Sequence, residues 1–259
     1  GPAIPAIRAE FDINHREVGL MMSAFVLFSL TSTVLMSNLS DRIGRRPIFF
    51  SGVGLFALGS ALIAVAGAQH PIGTGVHGFG WLVIGRALQG VGSGGLLPTA
   101  SAVIGDVFPT EQQGRALGLI GAVYGMAFVL GPPLAGALTV LVGWPWIFFI
   151  NLPLAFYLLL AGAKQLPQRP ASASNTTLDW LGLGLFFTCL FALLLGVTQL
   201  GDAFTNLLIW PWALAASLIL LGAFVVVEKQ ASQRGQRPMV PLVLFTHHRL
   251  VMAYALTPV

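Results

Sequence analysis

Seven apolar stretches decide the solvent in which this chain folds, because a helix of roughly 20 apolar residues crosses about 30 Å of hydrocarbon. The composition agrees: 56% of the residues are hydrophobic and only 8% are charged. Soluble domains carry about 25% charged residues. The sequence therefore predicts an all-α, polytopic membrane helix bundle and excludes a soluble globule. The predicted spans are residues 18–36, 48–68, 81–104, 116–142, 146–163, 178–200 and 208–227.

The chain is expected to be an internal fragment of a longer protein. Gly1 is not an initiator Met, residues 1–16 lack the regions of a signal peptide, and an eighth apolar stretch begins near Leu250. The alternative is that Gly1 and Pro2 remain from a cleaved expression tag. We expect a transmembrane bundle at 1–164, a cytoplasmic linker rich in Pro and Ser at 165–177, two further spans at 178–227, a cytoplasmic segment at 228–249 with an amphipathic stretch at 237–249, and the start of the next span at 250–259.

The distribution of Lys and Arg orients the spans, because basic residues accumulate in loops on the cytoplasmic side. With loop 40–47 inside, only Arg8 and Arg16 fall outside, and Arg86 falls within a span. The basic character thus reflects topology and not affinity for nucleic acid. We expect a multi-pass protein of the plasma membrane, in bacteria the inner membrane. The basic residues placed on the inside are Arg42, Arg45, Arg46, Arg115, Lys164, Arg169, Lys229, Arg234, Arg237 and Arg249.

Four charged residues lie close together in the loop between the first two predicted spans. A carboxylate at this position can accept hydrogen bonds from Arg side chains or from the N-terminus of another helix, and so hold one conformation. Gly44 would allow a tight turn. The alternative is that the arginines only obey the topology rule. The residues of this predicted gate are Asp41, Arg42, Gly44, Arg45 and Arg46.

A second candidate site lies inside the third predicted span, where Gln89 follows Arg86 by about one helical turn. An Arg in hydrocarbon costs about 2.5–3.5 kcal/mol on insertion scales, so it normally faces a polar cavity or a partner. The alternative is that Arg86, five residues after Trp81, extends into the headgroup region. We favour a functional cavity position for both residues.

Small residues follow one another at helical spacing in the fourth predicted span, where Pro132 and Pro133 are expected to bend the helix. A face of small residues lets a membrane helix approach the backbone of its neighbour. Plain packing is the alternative to a functional role. The face comprises Gly114, Gly118, Gly121, Gly125, Pro132 and Gly136.

These motifs resemble those of the major facilitator superfamily. The charged loop is similar to the family pattern G-x-x-x-D-R-x-G-R followed by Lys or Arg, with Ser37 in place of the leading Gly. Arg86 and Gln89 match the R-x-x-Q-G motif of the fourth helix, which implies a role in proton binding or release. The resemblance also implies that Asp106 joins Asp41 and Arg45 in a charge relay. Residues 3–7 would be the tail of a missing first helix.

The fourth predicted span resembles the antiporter motif of the family's fifth helix. Gly125, Gly131, Pro132 and Gly136 match it, and Ala135 replaces a Gly. The segment W-P-W-I-F-F-I-N-L-P that follows is close to another family pattern. After the linker, the two additional spans resemble the insert of the fourteen-helix drug:proton antiporter branch. The resemblance therefore implies the N-terminal half of such a protein plus two inserted helices.

The expected function is secondary active transport, in which proton entry drives efflux of an amphipathic small molecule by alternating access. The expected partners are the lipid bilayer, the substrate, protons and the missing C-terminal half of the same chain. No enzymatic activity, cofactor or metal is expected, since Cys189 stands alone. An importer of the same superfamily is one alternative. A seven-helix receptor or light-driven pump is the other.

Overall fold

The computed structural model describes residues 2–68, 76–166, 179–200 and 210–233. Every regular element in this part of the chain is a helix, as predicted. The predicted amphipathic stretch at 237–249 and the start of a span at 250–259 lie outside the described residues. The helices are α1 (Ile4–Phe11), α2 (His15–Ile43), α3 (Arg45–Gly67), α4 (Val76–Gly94), α5 (Leu96–Val107), α6 (Thr110–Leu141), α7 (Trp146–Phe149), α8 (Asn151–Gln165), α9 (Trp180–Leu200) and α10 (Trp210–Gln233).

Five helical segments are long and apolar enough to cross a membrane: α2, α3, α6, the α7–α8 segment 146–165, and residues 210–231 of α10. Helix α9 contains a shorter apolar stretch, Leu181–Val197. The predicted span 81–104 is not one helix, because α4 ends at Gly94 and α5 starts at Leu96. Pro98 explains this break, since a proline lacks the N–H and its ring clashes with the carbonyl four residues earlier. Pro153 and the end of α7 at Phe149 repeat the relation.

The chain divides into two compact units, residues 1–172 and 173–259. The division falls inside the segment predicted as a linker. In the second unit, α9 and α10 form an antiparallel pair in which Cys189 Sγ contacts the carbonyl oxygen of Ser217 at 3.4 Å. The helix α10 continues to Gln233, beyond the predicted end of its span at 227. Burial explains the extension, because Glu228 and Ala231 are both buried.

Helix α4 lies at the centre of the first unit because its glycines let two neighbours approach on different sides. A Cβ at Gly85 would lie 2.9 Å from the carbonyl oxygen of Gly59 in α3, and one at Gly92 would lie 2.5 Å from that of Gly52. On the α2 side, a Cβ at Gly90 would lie 2.5 Å from the carbonyl oxygen of Phe25. Small residues at helix contacts are typical of membrane bundles. The backbones of α2, α3 and α4 are thus in close contact.

An aromatic core joins α1 to this bundle at the end opposite the charged loop. Ile7 and Phe11 of α1 pack with Trp144 and Phe148, all of them buried. The Trp144 Nε1–H donates to Glu10 Oε2 at 2.6 Å. Edge-to-face aromatic pairs contribute about 0.5–1.5 kcal/mol each beyond the apolar area that they bury. This core fixes the ends of α2, α3 and α4 on that side of the molecule.

Candidate functional site

Arg45, the first residue of α3, joins three helices at the charged end of the first unit. Its Nη1 forms an ion pair with Asp41 Oδ1 of α2 and donates to Ser40 Oγ at 3.2 Å. Its Nε lies 3.4 Å from Asp106 Oδ2 of α5. We call Asp41, Arg45 and Asp106 the ion cluster. A partly exposed ion pair is worth about 0–1 kcal/mol, so the cluster is a reversible contact.

The other residues of the predicted gate have separate positions. Gly44 ends α2 with a φ of 99°, a conformation that favours glycine, and Arg42 lies in the last turn of α2. Arg46 points to α8, where its Nη2 donates to the carbonyl oxygen of Ala163 at 3.0 Å. A cation is favourable near the carbonyls that end a helix. The neighbouring residues Arg45 and Arg46 therefore hold different helices.

Arg86 lies among aromatic and sulfur-containing side chains in the interior of the first unit. Its guanidinium carbon is 5.8 Å from the centre of the Phe25 ring and 5.4 Å from that of Phe148. One Nη lies 3.8 Å from the sulfur of Met22, and the other lies 3.5 Å from Gln89 Oε1. Arg86 Nε is buried and has no hydrogen-bond partner among the described residues. The cation is thus held by ring faces and one amide oxygen.

Gln89 connects Arg86 to two residues that the sequence analysis did not single out. Its Nε2 donates to Ser60 Oγ of α3 at 2.7 Å, and Asn151 Nδ2 of α8 lies 3.3 Å from the same oxygen. Gln89 is 2% exposed and Ser60 is 0% exposed. We call Ser60, Arg86, Gln89 and Asn151 the polar network. The available signal was Asn151, an amide in an apolar stretch.

The face of small residues on α6 is uncovered. A Cβ at Gly125 or Gly131 would meet nothing within 4 Å, and one at Gly136 would meet only Pro2, at 3.8 Å. No residue of α6 is buried, and the helix is continuous through Pro132 and Pro133. The glycines of α4 touch backbone, whereas those of α6 have no such neighbour in the described residues. The described residues also contain no group of His, Cys, Asp or Glu that could hold a metal ion.

Comparison with known proteins gives a consistent result. The family model of the Major Facilitator Superfamily matches residues 1–247. Efflux pump dotC of Dothistroma septosporum is 32% identical over 256 residues, which cover 95% of this chain and 41% of that protein. Riboflavin transporter RibZ of Clostridioides difficile is 29% identical over 218 residues, which cover 84% of this chain and 45% of RibZ. The chain thus spans less than half the length of these curated relatives.

A solved structure gives the same fold. The crystal structure of an auto-inhibited peptide transporter of the POT family matches with a TM-score of 0.53 and 20% sequence identity. The match covers 86% of this chain and 46% of that chain. At this identity the likeness concerns the arrangement of helices alone.

Proposed function

The chain belongs to the Major Facilitator Superfamily, and on that premise we propose that it is part of a proton-coupled exporter of amphipathic small molecules. It is a multi-pass membrane protein, and its family is one of transporters and not of enzymes. Family membership also removes the seven-helix receptor and the light-driven pump. Export is supported by the likeness to an efflux pump and by the antiporter-like residues of α6.

The observation that carries the proposal of proton coupling is the position of Arg86. A cation in an apolar bundle is costly, and residues of this kind usually serve a pathway for ions or substrate. Here the cation has ring faces on two sides and a buried Nε with no hydrogen-bond partner among the described residues. It can therefore respond to a charge that comes and goes nearby. In the proposed cycle, a proton alters that charge and Arg86 moves with it.

The ion cluster and the α6 face take the two remaining roles in the proposal. The ion cluster holds the ends of α2, α3 and α5 together in one conformation and releases them in the other. The α6 face, with Gly125, Gly131, Pro132 and Gly136, packs against a second helix bundle of the same longer chain. The glycines of α4 support this assignment, because in this fold they lie where another backbone comes close. We also propose that the two helices after the linker are the insert of the fourteen-helix branch.

The direct test uses the full-length parent protein in sealed vesicles with an imposed pH gradient. An exporter of this type moves a cationic dye against the direction of proton flow, and reversing the gradient reverses the dye movement. Transport that ignores the gradient would exclude proton coupling. Dye or substrate that moves in the same direction as protons would instead establish an importer, the second candidate. Riboflavin belongs among the test substrates because of the likeness to RibZ.

Substitution of Asp106 by Asn tests the role of the ion cluster. The change removes one of the two carboxylates that contact Arg45 and so frees α3 from α5. We expect the rate of gradient-driven transport to fall about fivefold, which corresponds to the loss of an ion pair worth about 1 kcal/mol. Initial rates in the vesicle assay provide the measurement. Glu111→Gln, an exposed acid in the first turn of α6, is the control, and an equal loss in both variants would contradict the assignment.

A further inference from the structure

We propose that Ser60 is a positioning residue, whose hydroxyl fixes the direction of the Gln89 amide and thereby presents the amide oxygen to Arg86. The inference rests on the proposed coupling role of Arg86 and extends it to a residue on another helix. No family motif quoted above includes Ser60. The argument depends on hydrogen-bond accounting inside the polar network.

The Ser60 hydroxyl has one proton and two acceptor positions, and all three are occupied. The proton is donated to the carbonyl oxygen of Phe56 at 2.9 Å, one turn earlier in α3. Gln89 Nε2 and Asn151 Nδ2 approach the oxygen at 2.7 and 3.3 Å. Because its proton is already used, Ser60 can only accept from Gln89. The amide nitrogen of Gln89 must therefore point to Ser60.

The direction of the Gln89 amide then determines what Arg86 meets. With the nitrogen on Ser60, the oxygen lies on the side of Arg86, 3.5 Å from its Nη1. A flipped amide would place its NH₂ group against the guanidinium, where two donors would face each other without an acceptor. Such a buried mismatch costs about as much as the desolvation of the unsatisfied group. Ser60 therefore decides whether Gln89 attracts or repels the cation.

Close packing leaves Gln89 few other positions. A Cβ at Gly59 would lie 2.8 Å from the backbone nitrogen of Gln89 and 2.9 Å from its Cγ, so α3 and α4 touch directly beside the hydroxyl. Asn151 fills the remaining acceptor position of Ser60 from α8. The network thus connects α3, α4 and α8, and movement of any of these helices would change the environment of the Arg86 guanidinium.

The test measures a coupling ratio in the full-length parent protein. This ratio is the transport rate with a pH gradient divided by the exchange rate of the same substrate without one. We expect Ser60→Ala to lower the ratio about tenfold, the effect of losing one hydrogen bond to a charged group. A variant that is merely less stable would lower both rates together and leave the ratio unchanged. Ser60→Cys, which nearly keeps the shape but bonds weakly, should behave like Ser60→Ala if the alanine variant fails to fold.

A double variant separates action through Gln89 from general packing. If Ser60 acts through Gln89, then Ser60→Ala with Gln89→Ala should have the same ratio as Gln89→Ala alone. Effects that multiply would overturn the inference. Thr31→Val is the control, because it removes a buried hydroxyl that donates only to Leu27 of its own helix, at 2.9 Å. A ratio lowered equally in this control would also overturn it.

The same measurements distinguish failure of this inference from failure of the proposed function. If the wild-type protein shows no response to the gradient, the proton-coupled function is wrong. If the wild type responds and the Ser60 variants retain its coupling ratio, the function stands and the positioning role of Ser60 is wrong.

Discussion

Substitution of Arg86 by Ala is expected to reduce gradient-driven transport by about 10- to 100-fold, the range that corresponds to loss of charged hydrogen bonds worth about 1.5–3 kcal/mol. The guanidinium is the only cation placed among Phe25, Phe148 and Gln89 in the described residues. Its removal leaves the Gln89 oxygen without that donor and the proposed pathway without its charge. Initial rates in vesicles with an imposed pH gradient measure the loss.

Arg86→Lys is the informative companion variant. Lys keeps the charge but lacks the planar fork that can lie between two rings and still reach an amide. We therefore expect Arg86→Lys to retain substrate exchange and to respond less to the gradient. Lys164→Ala, an exposed cation in the last turn of α8, serves as the control for loss of one positive charge. Full gradient-driven efflux by Arg86→Ala would remove Arg86 from the mechanism.

Substitution of Gly92 by Ala is expected to destabilise the first unit. A Cβ at this position would lie 2.5 Å from both the carbonyl oxygen of Gly52 and the backbone nitrogen of Phe56. Both atoms belong to the backbone of α3, so neither can move aside as a flexible side chain would. Overpacking typically costs about 1–3 kcal/mol, and backbone contacts place this variant at the upper end. Thermal unfolding in detergent, followed by tryptophan fluorescence, measures the change.

Gly80→Ala is the matched control on the same helix. A Cβ at Gly80 meets nothing within 4 Å. Since Ala is a better helix former than Gly by about 0.5–1 kcal/mol, this variant should be neutral or slightly stabilised. Equal unfolding temperatures for the two variants would show that α3 and α4 are not in backbone contact at Gly92.

The positions of the spans could be predicted from sequence because apolar length reports directly on the bilayer. The interruption of the third span could not, since the apolar residues continue through Gly95 and hide the effect of Pro98. The N-terminal helix Ile4–Phe11 was expected only as a tail at 3–7, because a short amphipathic turn carries little periodic signal. It is held by contacts with Trp144, more than a hundred residues away in the chain.

The charged residues of the candidate site could be selected from sequence, but not their partners. Adjacent arginines in one motif give no indication that Arg45 faces α5 while Arg46 faces α8. Ser60 was not identifiable, because a hydroxyl in an apolar helix usually bonds its own backbone and fits any packed position. Only the distance to Gln89, on another helix, shows its connection to Arg86.

The bare surface of α6 has a consequence for biosynthesis. A 32-residue helix without one buried side chain gains nothing from the rest of its own unit. During synthesis it must wait in lipid until its covering helices emerge from the ribosome. An interruption of translation in that interval leaves a product that quality-control proteases can recognise by its loose fifth helix, so assembly of the whole transporter determines the lifetime of this half.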